Sequence, residues 1–289
     1  CETFRTIEEH ARAVTSKPPR RFAWLRTRAI RAQLEVFARD GLLVDEGSLR
    51  ARCLAAPHPE GQPVAISSVS VVTADRVASL QRCLWSYLEN ARSHQRAIKF
   101  LVMDDAPAAD GRTSTQQMLS GLVRDHHVDI AYAGADEKQA LATALTADGE
   151  IPRDVVDFAL FDPERCGRST GANHNSQLLY AAGEAFLSID DDTTARLAPI
   201  PGAEAGLALL SEYQTPATWF FPDRSDALGA LAFEDRDAVG IHEQLLGQRV
   251  GTCIKELTRN GDLQVDRLGT LLLRGIEEGH ARVLVTLPG

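Results

Sequence analysis

CGRSTGANHNSQLLYAAGEAFLSIDDDTT, residues 166 to 194, decides how the rest of the chain is read. From Ala172 onward the apolar residues Leu178, Leu179, Ala182 and Phe186 recur at helical spacing, and Gly183 stands where a helix would stop, which predicts a helix up to about Ala182. Ala185 to Ile189 is a short apolar run bounded by that breaker and predicts a buried strand. It discharges into Asp190, Asp191 and Asp192, so three carboxylates stand at the carboxyl end of a strand, where open α/β sheets bind their ligands. In extended backbone, side chains two apart point the same way, so Asp190 and Asp192 share one face and Asp191 takes the other. Two convergent carboxylates suit a hard divalent cation, Mg²⁺ or Mn²⁺ rather than zinc, whose shell is completed by waters and substrate phosphates. The alternative is a turn whose acids cap the next helix.

Strands and helices alternate on the amino-terminal side of this stretch. Val64 to Thr73 is β-branched and predicts a central strand, followed by a helix from Val77 to Arg92 carrying Leu80, Leu84, Tyr87 and Leu88. A strand at Ile98 to Met103, a helix near Ser114 to Asp125, a strand at Val128 to Tyr132 and a helix near Asp136 to Leu145 continue the rhythm. This alternation predicts an α/β, Rossmann-like domain with parallel neighbours and a sheet covered on both faces. Residues 149 to 168 read as loop with an edge strand, DVVDFALF, and Arg168 either reaches a diphosphate or lies on the surface. No G-x-G-x-x-G or G-x-x-x-x-G-K-[ST] follows the first strand, which disfavours dinucleotide oxidoreductases and P-loop enzymes.

Gly171, His174, Asn175, Ala181, Gly183, Glu184, Asp190 and Asp192 together resemble the helix-then-strand signature of the GT-A nucleotide-sugar glycosyltransferases, family-2-like members above all. That signature runs G-x-x-x-A-R-N, then A-x-G-E, then an apolar strand, then D-x-D, and His174 stands where its arginine stands. The resemblance covers roughly residues 63 to 195. It implies a GT-A mixed sheet sandwiched by helices. It implies transfer of a sugar from a nucleoside-diphosphate sugar, uridine first, to an acceptor saccharide, protein or small molecule. Asp190 and Asp192 would hold Mn²⁺ or Mg²⁺, with Asp191 and Asn175 beside them. The strand ends V-T-x-x-R, residues 72 to 76, and V-x-D-D-x, residues 102 to 106, match positions that line the family's base and ribose pocket, so Thr73, Asp75, Asp104 and Asp105 become candidate nucleotide contacts. A carboxylate there can accept from a ring N–H or a ribose hydroxyl. A helix N-cap at Asp75 and a polar loop at Asp104 and Asp105 are the plainer readings. The family's general base would fall near or beyond residue 285. A sugar-nucleotide nucleotidyltransferase is the nearest rival, but its glycine-rich loop is replaced here by Ala74, Asp75, Arg76, Val77 and Ala78. A non-catalytic binding module is the second, and a Rossmann-like enzyme of another chemistry, with the three aspartates as a turn, is the third.

The composition, 44% hydrophobic and 25% charged, is that of an ordinary globular protein, and the net charge of -9 argues against a nucleic-acid binder that works through phosphates. The five cysteines are far apart and form no C-x-x-C, so reduced thiols are expected rather than disulfides or zinc. No run approaches the roughly eighteen apolar residues of a membrane helix, and a cytoplasmic location with no integral membrane segment is expected. The chain opens on Cys1 and is read as a fragment or trimmed piece of a longer one.

Residues 1 to 62 are expected to form a small helical region. Phe22, Leu25, Ile30, Leu34 and Phe37 mark a helix ended by Asp40 and Gly41, Asp45 to Ser48 cap a second, and Pro57 to Pro63 reads as a linker. Residues 63 to 289 are then one glycosyltransferase-like domain, with 63 to 195 the donor half and 196 to 289 the acceptor half. In the latter, Gly206 to Glu212 and Ala217 to Phe221 read as strands, Asp237 to Leu246 and Val265 to Glu278 as helices, and Ala281 to Thr286 as a strand. His242 and Glu243 are adjacent and cannot share a helix face, which argues against a metal site or dyad there; Glu243 is the candidate general base.

Overall fold

β-branched runs alternating with amphipathic segments build most of the chain. The computed structural model describes residues 5–16, 23–57, 59–62, 64–164, 167, 169–199, 206–210, 220–258, 262–266 and 268–287. Three helices come first: α1 (Ile7–Thr15), α2 (Ala23–Arg39) and α3 (Glu46–Leu54). The alternating section follows as β1 (Ile66–Thr73), α4 (Val77–Ser93), β2 (Lys99–Asp104), α5 (Ala109–His126), β3 (Asp129–Ala133) and α6 (Ala135–Leu145). Then come α7 (Arg153–Leu160), α8 (Thr170–Tyr180), β4 (Ala185–Asp190), β5 (Gly206–Leu210), α9 (Arg224–Gly229), α10 (Gly240–Glu243), α11 (Val250–Leu257), β6 (Asp262–Asp266) and α12 (Thr270–Glu277).

The chain divides into two units, Val64–Pro199 with Leu231–Gln244, and Cys1–Pro63 with Ile200–Ala230 and Leu245–Gly289. The first unit is α/β. Its sheet has the order β3-β2-β1-β4 with every described pairing parallel, rather than the mixed sheet expected. In register, Val69 faces Phe100 on one side and Leu187 on the other, and Phe100 faces Ile130, so one apolar row crosses the sheet. Val69, Phe100 and Leu187 in that row are buried. The opposite face of β1 and β4 carries Ser68, Ser70 and Ser188, and the helix packed against it, α8, buries Asn173, Ser176 and Gln177. Leu178, Leu179 and Tyr180 are exposed instead. The helix at 172–182 is therefore present but turned, because a serine-lined sheet face takes the polar side of the helix. Its end is set by Gly183, whose φ of +88° lies in the left-handed region that favours glycine.

The stretch DVVDFALF is a helix, not an edge strand. Val156 and Leu160, one turn apart, bury against Ala142, and Val155 and Phe158 stay exposed. The second unit packs Leu49, Cys53 and Ala56 against Leu209, Ile254, Leu263, Val265 and Ile276. α3 finds its core partners on β5, β6, α11 and α12, and the compact units group 1–63 with 200–230 and 245–289, where the sequence reading divides the chain after 62 and 195. The expected cap at Asp45 is present, with Ser48 N–H donating to its Oδ1 at 2.9 Å. Residues 265–278 hold the end of β6 and then α12 rather than one helix, Arg282 makes only an isolated bridge to Arg249, and residues 211–219 lie outside the described residues. Among the described residues no helix is long and apolar enough to cross a membrane.

Candidate functional site

Parallel register brings three strand ends together. Thr73 faces Asp104, Val72 faces Asp190, and the Asp105 N–H donates to the Thr73 carbonyl at 2.9 Å. Around these ends lies a cleft of about 280 Å³ lined by Val72, Thr73, Ala74, Arg76, Asp105, Ser169, Thr170, Asn173, Asp190, Asp191 and Asp192. Of the residues expected at the site, Thr73, Asp105, Asp190, Asp191 and Asp192 are thereby brought together.

The three consecutive aspartates do not continue as a strand. β4 ends at Asp190 and the backbone turns, so Asp191 is buried while Asp190 and Asp192 are exposed. Thr73 Oγ1 donates to Asp191 Oδ2 at 2.7 Å, and the Arg76 guanidinium bridges Asp191 at 2.8 Å and Asp192 at 2.9 Å. The Arg76 hydrogen bond holds the Asp192 carboxyl below the usual range, so the pair survives as pH falls until that lowered value is passed. The Asp190 carboxylate accepts no hydrogen bond among the described residues. Among the described residues no three His, Cys, Asp or Glu side chains converge as a ready-made metal cage. The oxygen chemistry of Asp190 and Asp192 nevertheless fits a hard cation that takes its remaining ligands from water and phosphate.

Three of the expected nucleotide contacts stand elsewhere. Asp104 is fully buried, its Oδ1 accepting from the Ala106 N–H at 2.8 Å and its Oδ2 from the Tyr132 hydroxyl at 3.1 Å. Strand alternation turns it to the face opposite Asp105. Asp75 is exposed, holds a left-handed φ of 54° and does not line the cleft; its carboxylate lies close to Gly111. Neither does it cap α4, whose N-cap is Arg76. Asn175 points outward and donates from Nδ2 to the Ala159 carbonyl at 2.9 Å, tying α8 to α7. Arg168 lies outside the described residues.

Glu243 is not at the cleft. It accepts from the Ile66 N–H at 2.6 Å at the amino end of β1, the length of that strand, about 23 Å, from the carboxylates. Both its oxygens also accept from Arg96, at 3.0 and 2.8 Å, and Arg96 binds Asp237 at 2.5 Å. Burial acts to raise the Asp237 carboxyl, but Arg96 and the Gly240 N–H outweigh it and hold the group below its usual range. Its contribution to stability is in place above the ordinary aspartate range and is lost as pH falls through the lowered value. Glu243 thus closes a structural ion-pair cluster. Glu243→Ala is expected to cost about 2 kcal/mol of stability, the order of lost hydrogen bonds to a charged group, with ligand binding at the cleft unchanged; urea melts and titration check both.

The sequence reading missed Lys138 and Asn173. Lys138, on the first turn of α6, is 3% exposed, and its ammonium donates to Asp105 Oδ1 and Asn173 Oδ1, each at 2.6 Å. The available signal was a lysine one turn into a helix that follows a strand's carboxyl end. Arg76 was visible only as the last position of V-T-x-x-R. Among the described residues two cations, Arg76 and Lys138, therefore stand among four carboxylates, Asp105, Asp190, Asp191 and Asp192.

Compared with protein-family models, with curated proteins and with solved structures, the chain gives no match in any of the three. The functional reading rests on the cleft itself.

Proposed function

We propose that this chain is a GT-A glycosyltransferase that binds a nucleoside-diphosphate sugar, uridine first, in the cleft at the carboxyl ends of β1, β2 and β4, and transfers the sugar to an acceptor. The observation that carries the reading is the meeting of Thr73, Asp105 and the Asp190 to Asp192 run at one end of a parallel sheet of order β3-β2-β1-β4. Ligands of open α/β sheets bind at that end. The charge balance of the cleft supports it further. Among the described residues four carboxylates stand against two cations, so a diphosphate calls for a counter-cation, which is the role of Mn²⁺ or Mg²⁺ on Asp190 and Asp192. When bound, such an ion offsets the charge that develops on the departing diphosphate oxygens. Thr73 fixes Asp191, Arg76 supplies a half-exposed guanidinium suited to a phosphate oxygen, and Asp105 offers an acceptor to the base.

The test is calorimetric titration of UDP with and without Mn²⁺, on the protein and on Asp190→Ala and Asp192→Ala. Metal-dependent binding that weakens at least tenfold in each folded variant, on the scale of a lost charge-assisted contact, is the expected result. UDP binding that ignores both the metal and the substitutions would sink the metal-dependent mechanism. One observation favours a second reading, a nucleotide-binding module without catalysis: Arg76 already occupies Asp191 and Asp192. That module would bind nucleotide equally well without metal and transfer no sugar.

A further inference from the structure

A buried lysine needs a reason, because its ammonium loses hydration unless every donor finds a partner. Lys138 finds two partners, and both line the cleft. An ammonium only donates, so Asn173 must turn its carbonyl oxygen toward Lys138 and its NH₂ the other way. Asn173 is 3% exposed, and its Nδ2 donates to nothing among the described residues. Asp105 likewise spends Oδ1 on the ammonium and keeps Oδ2 as an acceptor. The two groups share one nitrogen at 2.6 Å each, so a carboxylate acceptor and an amide donor stand side by side in an order that Lys138 sets.

We propose that Lys138 is a positioning residue and Asn173 a specificity-determining one, which together make the cleft select a nucleobase whose edge carries an N–H beside a C=O. The inference rests on the nucleotide-binding reading above. Uracil presents such an edge through N3–H and O4. Cytosine presents the reverse, a bare N3 beside an amino group. Its N3 lone pair would face the Asp105 carboxylate and its amino group the Asn173 NH₂, two repulsive contacts. A polar edge left unpaired in a partly buried site discriminates more strongly than a difference in size.

The experiment is titration of UDP and CDP, with Mn²⁺ present, into the protein, Asn173→Asp and Lys138→Met, with melting curves for each. The protein is expected to prefer UDP by at least tenfold. Asn173→Asp keeps an acceptor for Lys138 and replaces the NH₂ by an oxygen, so it should weaken UDP, strengthen CDP and bring the ratio to one or below. Lys138→Met should lower the ratio to within about threefold by freeing the Asn173 amide to rotate, a change that general loosening of the fold, acting on both nucleotides alike, would not produce. Equal affinity of the protein for UDP and CDP, or an unchanged ratio in a folded Asn173→Asp variant, overturns the inference and leaves the nucleotide site standing. If neither nucleotide binds the protein at any metal concentration, the nucleotide reading fails and the inference fails with it.

Discussion

Asp104→Ala is expected to lower the unfolding free energy by about 3 kcal/mol, from two orphaned hydrogen-bonding groups at 1–3 kcal/mol each. The Asp104 carboxylate is the acceptor for the Ala106 N–H, which starts the turn leading to α5, and for the Tyr132 hydroxyl at the end of β3. Asp104 is fully buried, so in the native fold bulk solvent does not reach the carboxylate that meets both donors. Burial, and then the adjacent Asp104 charge, push the Tyr132 phenol well above its usual range, so the hydroxyl keeps its proton and donates. Tyr132→Phe removes one donor but leaves the buried Asp104 Oδ2 unpaired, and should cost about 2 kcal/mol, the order of a lost hydrogen bond to a charged group. Urea denaturation followed by far-ultraviolet circular dichroism reads both. Asp104→Ala that melts like the parent and loses UDP would instead return Asp104 to the cleft, beside Asp105.

The pair Asp104 and Asp105 shows where the sequence was legible and where it was not. That β2 ends in two acids was plain from the run of apolar residues before them, as were β1, β3, β4 and the helices α4, α5, α6 and α8, because strand and helix periods are local signals. Which acid faces the cleft depends on strand parity relative to the covering helices. Parity is settled by packing, and a one-residue error exchanges a structural carboxylate for a functional one. The same holds for Asn173 and Asn175. The helix was expected from its leucines, and its true inward side, Asn173, Ser176 and Gln177, is dictated by serines of β1 and β4 that no local window contains. DVVDFALF misled in the same way, since an unbroken apolar run hides which two residues, Val156 and Leu160, are buried. Glu243 could not be read at all. Its role is set by Arg96 and the Ile66 N–H, partners far away in the sequence. The grouping of α3 with β5 and β6 is equally non-local.

Arg76→Gln is expected to raise the affinity for Mn²⁺, measured without nucleotide, by about tenfold at low salt, the scale of one unit charge a few ångströms from the ion in a solvated cleft. In the proposed reading Arg76 competes with the cation, since its guanidinium already pairs with Asp191 and Asp192, beside the exposed Asp190. Glutamine keeps a donor for one carboxylate and removes the charge. The Asp191 side chain, 4% exposed, is then left with Thr73 as its remaining strong partner, so the variant should melt below the parent without metal. Mn²⁺ should restore more of its melting temperature than it adds to the parent, because a ligand that binds only the folded state stabilises in proportion to its affinity. Salt should shrink the difference, since exposed charges are screened over about 8–10 Å. With UDP present the order should reverse, the variant binding the Mn²⁺–UDP pair more weakly, because the proposed function gives the guanidinium that opposed the free ion the role of meeting the diphosphate. A variant whose Mn²⁺ affinity does not rise would show that the carboxylates Arg76 bridges are no part of a cation site, and would leave the arginine as a clamp on the turn after β4.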